Sequence, residues 1–315
     1  MKLPKAGVWC PAVSFYDPAT GELDLESQKK YFHYLSTSGL AGLIILGSNA
    51  EAFLLTREER AALVVAARQA VGPDYPLMAG VSGFSVKQVL EYIQDAQKAG
   101  ADFGLLLPAA YYGKATTMAM VQAFYDEVAQ KSLLPIVIYN FPGVCNGIDL
   151  DSETIAAIAK RNPGKIVGVK LTCGSVGKIT RLVAELPSNV FSTFGGQGDF
   201  LIGGLAVGSA GCISAFANVF PKTLSKIYEL YMAGKVKEAL ELHRTAALAE
   251  SPTKAGIAST KYAVSQYSAI AAGIEDPEPK LKPRAPYTPP ADAVKANIRN
   301  LMDGMVDIES KVDKL

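Results

Sequence analysis

Residues 166–171 form an apolar, β-branched run with one lysine, Lys170, near its end. An ammonium group among Ile, Val and Leu loses hydration, which favours the neutral and nucleophilic amine. Such an amine can add to a carbonyl carbon and form an imine. The alternative is a lysine at the end of a strand whose amine reaches solvent, which is the commoner fate of a single lysine.

Other side chains of catalytic type close or follow this run and further apolar runs. They are Ser48, Asn49, Tyr112, Tyr139 and Thr172. A phenol can shuttle protons when it lies within hydrogen-bond reach of the reacting group. A glycine-containing turn such as 47–50 can offer backbone N–H groups to a carboxylate. Together with an amine, these groups fit chemistry on a keto acid.

Each group also has a purely structural explanation. Tyr139 could be a packed aromatic residue whose hydroxyl is merely hydrogen-bonded, and 47–50 could be only a turn. The glycines at 195–198 could bind phosphate, because loops after the seventh and eighth strands of a (β/α)8 barrel often do. A phosphate-binding enzyme therefore remains open from these residues alone.

The composition excludes several classes of protein. The 315 residues contain two histidines and four scattered cysteines, which cannot assemble a histidine-rich metal centre. Metal-dependent aldol chemistry is therefore excluded, and no metal site is predicted. The formal net charge is +1 without a basic stripe, so nucleic acid is not an expected partner. A small metabolite fits better.

A cytosolic (cytoplasmic) location is expected, because no apolar segment of signal-peptide length follows the N-terminal lysines and the C-terminus matches no targeting address. Residues 200–220 are uncharged and long enough to span a bilayer. Their glycines and polar residues make them weakly apolar, so we expect a buried helix followed by a buried strand, and no membrane partner.

The spacing of the apolar runs predicts the elements that would position these residues. Eight runs are mostly apolar, as strands of a parallel sheet covered on both faces must be. They lie at 8–13, 42–46, 77–81, 103–107, 136–139, 166–171, 190–194 and 211–215. Helical segments separate them, and residues 56–59 are a capping box. The pattern predicts an α/β fold, a (β/α)8 TIM barrel, with its site at the C-terminal ends of the strands.

After the eighth run the alternation stops. Residues 222–232, 236–250 and 253–272 are expected to be helical, 276–290 is proline-rich and irregular, and a last helix covers 291–312. We therefore predict a catalytic barrel over 1–221 and a C-terminal helical appendage over 222–315 that packs on it.

Four motifs in this order resemble the class I, Schiff-base, pyruvate-dependent aldolases grouped with dihydrodipicolinate synthase and N-acetylneuraminate lyase. Residues 47–51 resemble the family's G-[ST]-[TN]-G-E loop, although Ala50 replaces its usual glycine and could restrict the loop. Residues 139–142 resemble its Y-N-x-P, and 168–170 match the Schiff-base lysine. Residues 211–214 with Asn218 are similar to its strand-eight segment, and 284–286 resemble a feature of its C-terminal region.

The resemblance implies a role for each matched residue. Lys170 would form a covalent imine, without a separate cofactor. Tyr139 would be the acid and base, Ser48 its relay hydroxyl, and Tyr112 a second relay tyrosine that reaches in from a neighbouring subunit. Ser48 with Asn49 would hold the pyruvyl carboxylate. The pocket would be completed by Thr172, Gly196 and Ile213. A homo-oligomer, a dimer of dimers, is also implied.

One departure from the family narrows the choice of substrate. The dihydrodipicolinate synthases have an arginine two residues after the Y-N-x-P proline, and here that residue is Val144. A valine cannot replace a bidentate cation, which argues against lysine biosynthesis. The motifs look closer to the 4-hydroxy-2-oxoglutarate aldolases and the 2-keto-3-deoxy sugar acid aldolases.

The expected function is that of a carbon–carbon lyase, a class I aldolase that releases pyruvate and an aldehyde. Its substrate would be a 2-keto-3-deoxy sugar acid, such as 2-keto-3-deoxy-L-galactonate (L-threo-3-deoxy-hexulosonate), or 4-hydroxy-2-oxoglutarate. Two alternatives stay open. One is a dihydrodipicolinate synthase, and the other is a non-catalytic sugar-acid sensor on the same scaffold, because a fold does not fix a function.

Overall fold

A computed structural model describes residues 2–312. Within these residues, eight parallel strands pair in chain order and close into a barrel, because the last strand pairs with the first. They are β1 (Gly7–Pro11), β2 (Gly42–Ile45), β3 (Leu77–Gly80), β4 (Phe103–Leu106), β5 (Ile136–Asn140), β6 (Ile166–Leu171), β7 (Ser192–Gly195) and β8 (Gly211–Ile213). The (β/α)8 TIM barrel expected from the sequence is confirmed.

Helices between consecutive strands cover the barrel. They are α1 (Leu25–Ser36), α2 (Arg57–Val71), α3 (Val86–Lys98), α4 (Met118–Lys131), α5 (Ser152–Arg161), α6 (Val176–Glu185) and α7 (Leu201–Ala206). The first six begin at a polar side chain that accepts a hydrogen bond from a backbone N–H of the first turn, a donor the helix itself leaves unpaired. The capping box expected at 56–59 is present, between Thr56 and Glu59.

Aromatic side chains fill the interior of the barrel. Trp9 is fully buried and packs edge-on against Phe103 and Phe194, with ring centroids 6.4 Å apart in both pairs. The interior is therefore a packed core rather than a channel. In such a barrel, the loops at the C-terminal ends of the strands are left to form a site.

The chain after β8 is mostly helical. Its helices are α8 (Pro221–Met232), α9 (Val236–Glu250), α10 (Ile257–Gln266), α11 (Ser268–Ala271), α12 (Pro277–Lys280), α13 (Asp292–Met302) and α14 (Met305–Lys311). The C-terminal helical appendage is confirmed, and α8 packs on β1. The division into 1–221 and 222–315 stays a prediction.

The C-terminal region differs from the expectation in detail. The single helix expected over 253–272 is wrong, because Gly256 (φ 124°) separates a short turn from α10 and the non-helical Tyr267 separates α10 from α11. The final helix is likewise divided near Gly304. Residues 200–220 contain the expected buried helix and strand, α7 and β8. Within residues 2–312, no helix combines the length and apolar character needed to cross a membrane.

Candidate active site

Lys170 and Tyr139 are neighbours at the C-terminal ends of β6 and β5. The two residues pair in the register of the sheet, and each is only 3% exposed. The Nζ of Lys170 lies 4.1 Å from the centre of the Tyr139 ring. The phenol therefore covers the amine and lies beside any group that becomes bonded to it.

The turn after β2 brings Ser48 to the same place. Its Oγ lies 3.5 Å from the hydroxyl oxygen of Tyr139. The chain leaves β2 through Leu46, which has a left-handed backbone with φ 65°. Gly80 on β3 makes room for this turn, since a Cβ there would lie 1.9 Å from the carbonyl oxygen of Leu46.

Thr172 lies in the turn directly after β6, two residues beyond Lys170, and carries a polar atom without a partner. Its Oγ1 is buried and makes no hydrogen bond to any residue in the described part of the chain. Gly196 packs directly against it, and a Cβ on Gly196 would lie 2.1 Å from that oxygen. A buried polar group without a partner costs free energy, so this hydroxyl is available to a bound ligand.

The other expected site residues lie at different depths. Asn49 is half-buried in the turn with Ser48, and Ile213 is fully buried in the barrel interior. Tyr112 is 78% exposed, with its ring 5.3 Å from that of Tyr111. Within one chain, Tyr112 therefore lies outside the group formed by Lys170, Tyr139 and Ser48.

A cavity of about 690 Å³ opens beside Ser48 at the mouth of the barrel. Its wall includes Phe53, Phe84, Val144 and Tyr287, together with small residues of the loops. Among the described residues that line it, Glu51 is the only one with a charged side chain. Val144 is 51% exposed on this wall, where a dihydrodipicolinate synthase would have its arginine.

Two buried thiols lie near the Lys170 amine but are weaker nucleophiles. Burial raises the pKa of Cys10 on β1 and of Cys212 on β8, although the positive charge of Lys170 opposes the shift in both. Both thiols therefore remain protonated near neutral pH, and a protonated thiol is a weak nucleophile. The two thiols therefore do not compete with the Lys170 amine as nucleophiles.

The sequence reasoning missed a buried carboxylate behind the β7 loop. The Oε1 of Glu250, on α9, accepts hydrogen bonds from the backbone N–H of Gly198 (2.9 Å) and from Ser214 Oγ (3.0 Å). Burial raises the pKa of Glu250 to about 7. Helical spacing could have indicated its burial, because Glu250 lies on the same face of α9 as the buried residues Leu242, Ala246 and Ala249.

Known proteins resemble this chain over almost its whole length. The model of the dihydrodipicolinate synthetase family matches residues 5–303. A protein from Coccidioides immitis (strain RS) with the provisional name 4-hydroxy-2-oxoglutarate aldolase, mitochondrial, is 65% identical over 98% of both chains. The L-threo-3-deoxy-hexylosonate aldolase of Hypocrea jecorina is 36% identical over 83% of this chain and 86% of its own.

A crystal structure of a Coccidioides immitis protein provisionally assigned to the dihydrodipicolinate synthase family superposes with a TM-score of 0.94. It shares 62% sequence identity over 98% of each chain. The expected cytosolic location is contradicted, because the 65% identical relative is named as mitochondrial. Neither a missing signal-peptide segment nor the C-terminal sequence bears on import into mitochondria. The family resemblance is confirmed: this chain belongs to the dihydrodipicolinate synthetase family.

Proposed function

We propose that the protein is a class I aldolase that cleaves a 2-keto-3-deoxy acid through an imine on Lys170. The neutral amine adds to the C2 carbonyl of the substrate, and the resulting hydroxyl takes a proton from Tyr139 and leaves as water, which gives a protonated imine and a phenolate. A base then removes the proton of the C4 hydroxyl, the C3–C4 bond breaks, and its electron pair enters the enamine as the aldehyde leaves. Protonation at C3 and hydrolysis of the imine release pyruvate and restore Lys170.

Tyr139 is the proposed acid and base. The observation that carries this proposal is the convergence of the buried Lys170 and Tyr139 with the half-buried Ser48. The phenol covers Lys170 at 4.1 Å, and its hydroxyl lies 3.5 Å from Ser48 Oγ. A phenolate there can accept the C4 hydroxyl proton, and the phenol can return a proton to C3 of the enamine. Ser48 then relays protons to and from Tyr139.

The remaining site residues bind the substrate in this proposal. Asn49 and the backbone N–H groups of the turn hold the carboxylate. The unpaired Thr172 hydroxyl contacts the substrate from the other side, where Gly196 and Ile213 complete the wall. Tyr112, exposed in its own chain, enters the site of a neighbouring subunit in a dimer of dimers.

The cavity lining favours a sugar acid such as L-threo-3-deoxy-hexulosonate as the substrate. The aldehyde part of that molecule is neutral, whereas 4-hydroxy-2-oxoglutarate carries a second carboxylate. The described residues that line the cavity include no cationic side chain, and Val144 stands where a dihydrodipicolinate synthase has an arginine. A carboxylate desolvated there without a cationic partner is disfavoured. The name of the relative from Coccidioides immitis supports 4-hydroxy-2-oxoglutarate as the second candidate and the mitochondrion as the location.

Trapping with borohydride tests the proposed chemistry. Incubation with pyruvate and borohydride should add a reduced pyruvyl group to Lys170, detected by mass spectrometry of peptides. A folded protein that cleaves keto acids while Lys170 stays unmodified would exclude the mechanism. Cleavage rates for both candidate substrates then rank them, and a faster rate for pyruvate with aspartate semialdehyde would instead favour dihydrodipicolinate synthase. Pyruvate binding without turnover of any keto acid would favour a sensor.

A further inference from the structure

A buried ion pair joins the Ser48 turn to the C-terminal region. The Nζ of Lys261, on α10, lies 2.6 Å from Glu51 Oε2, and the two side chains are 0% and 2% exposed. Glu51 follows Ser48 by three residues and has a left-handed backbone with φ 55°. Ala50, expected to restrict this turn, is absent from the residues with positive φ, so the unusual conformation falls on Glu51 instead.

The second carboxylate oxygen of Glu51 is also bound by the C-terminal region. Its Oε1 accepts a hydrogen bond of 2.7 Å from the backbone N–H of Arg284. The Arg284 guanidinium in turn makes two hydrogen bonds to Glu59, of 2.7 and 2.6 Å, at the start of α2. Arg284, in the sequence 284–286 that resembled a feature of the family but had no assigned role, therefore ties the middle of the segment between β2 and α2 to the first turn of α2.

Stability alone is a weak explanation for this pair. Removing two charges from water costs free energy that their attraction does not reliably repay, and apolar replacements of such pairs are often equally stable. A left-handed residue that is not glycine also persists only when its surroundings fix it. Both observations indicate that the ion pair fixes the position of a backbone segment. That segment is the turn that carries Ser48 and Asn49.

We propose that Lys261 is a positioning residue for the reaction: through Glu51, it holds the turn 48–50 so that Ser48 reaches Tyr139 and the turn faces the substrate carboxylate. This inference rests on the proposed function. Lys261 itself touches no reacting atom. It binds Glu51 and lies over the ring of Tyr16, with its Nζ 4.4 Å from the ring centre. Arg284 is a second support of the same turn.

Two variants test the proposal. Lys261→Met removes the cation and leaves the Glu51 carboxylate unpaired, so it could fail to fold. The double variant Glu51→Gln/Lys261→Met removes both charges, leaves no uncompensated buried charge, and keeps an acceptor for the Arg284 N–H. Asp102→Asn is the matched control, because Asp102 pairs with Arg68 at the start of β3 and β4, the opposite end of the barrel.

Each variant is assayed well below its melting temperature for KM, kcat and the rate of borohydride trapping with pyruvate. We expect the double variant to show a KM for the keto acid at least tenfold higher and slower trapping, with a smaller change in kcat, while Asp102→Asn keeps wild-type values. Wild-type KM and trapping rate in the double variant would overturn the positioning role. No trapping in the wild-type protein would instead overturn the proposed function, so the two failures are distinguishable.

Discussion

Tyr139 and Lys170 occupy paired positions on adjacent strands, and the phenol ring covers the lysine amine at 4.1 Å. The sheet register fixes this relationship, because paired residues of neighbouring parallel strands point to the same face. The same register gives both residues a place at the mouth of the barrel, where Ser48 approaches from β2. The amine and its proton carrier are thus held by backbone pairing rather than by a mobile loop.

Replacing Tyr139 with phenylalanine should remove the proton carrier and keep the ring that covers Lys170. We expect kcat for retro-aldol cleavage to fall by about 10²- to 10⁴-fold, the usual contribution of general acid–base catalysis. Tyr125→Phe is the control, since that tyrosine is equally buried but its hydroxyl donates to the carbonyl oxygen of Leu106. Steady-state kinetics of both variants provide the measurement. A Tyr139→Phe enzyme within twofold of the wild-type rate would refute the role.

Introducing a cation on the cavity wall should change substrate preference. Val144→Arg places a guanidinium where the second carboxylate of 4-hydroxy-2-oxoglutarate would lie. Hydrogen bonds to charged groups are worth about 1.5–3 kcal/mol, so kcat/KM for this substrate should rise about 10- to 100-fold relative to the sugar acid. Val144→Met controls for size without charge. An unchanged ratio of the two kcat/KM values in Val144→Arg would show that this wall does not contact the aldehyde part of the substrate.

A methyl group on Gly196 should disturb Thr172. The Cβ of Gly196→Ala would lie 2.1 Å from Thr172 Oγ1 and 2.5 Å from its Cα, so the strand end must shift. Overpacking of this kind costs about 1–3 kcal/mol in the free energy of unfolding. We also expect a higher KM. The control is Gly203→Ala on α7, whose Cβ would have its nearest contact at 3.6 Å from Val176. Denaturant unfolding and KM are compared, and equal stability of the two variants would contradict the packing argument.

The buried carboxylate of Glu250 should make stability depend on pH. Its pKa rises from 4.5 to about 7 on folding, so the folded protein binds the proton more tightly than the unfolded chain. The contribution of this proton to the free energy of unfolding is fully present below pH 4.5 and is lost as the pH rises through 7. Glu250→Gln removes this titration. Between pH 4.5 and 8, the free energy of unfolding of the variant should therefore rise by up to about 3 kcal/mol relative to that of the wild type.

Chemical denaturation of both proteins at pH 5 and pH 8 measures this difference. Glu238→Gln, an exposed residue on the same helix, is the control and should show no such change. The prediction concerns the difference between variant and wild type, because the other titrating groups are common to both. If variant and wild type differ in free energy of unfolding by the same amount at pH 5 and pH 8, the buried carboxylate does not titrate between these pH values.

Local sequence patterns were sufficient to predict the barrel and its order of elements. Apolar runs of strand length, separated by capped amphipathic helices, allow few other folds. The same local information placed Lys170, Tyr139 and Ser48 at strand ends, which in this fold face a common mouth. It failed at breaks such as Gly256 and Tyr267, because a helix interruption depends on what the segment packs against as well as on its own residues.

The sequence by itself determined the elements and the types of residue that end each strand, because helix caps, apolar periodicity and chain order are local properties. Only the tertiary structure decided that Lys261 and Arg284 both bind Glu51, and that Glu250 lies behind the β7 loop. Ion pairs between residues more than 200 positions apart have no local signature, since nothing in the spacing of charges along a chain says which of them become buried together. For the same reason, the exposed position of Tyr112 was visible only once the chain was folded.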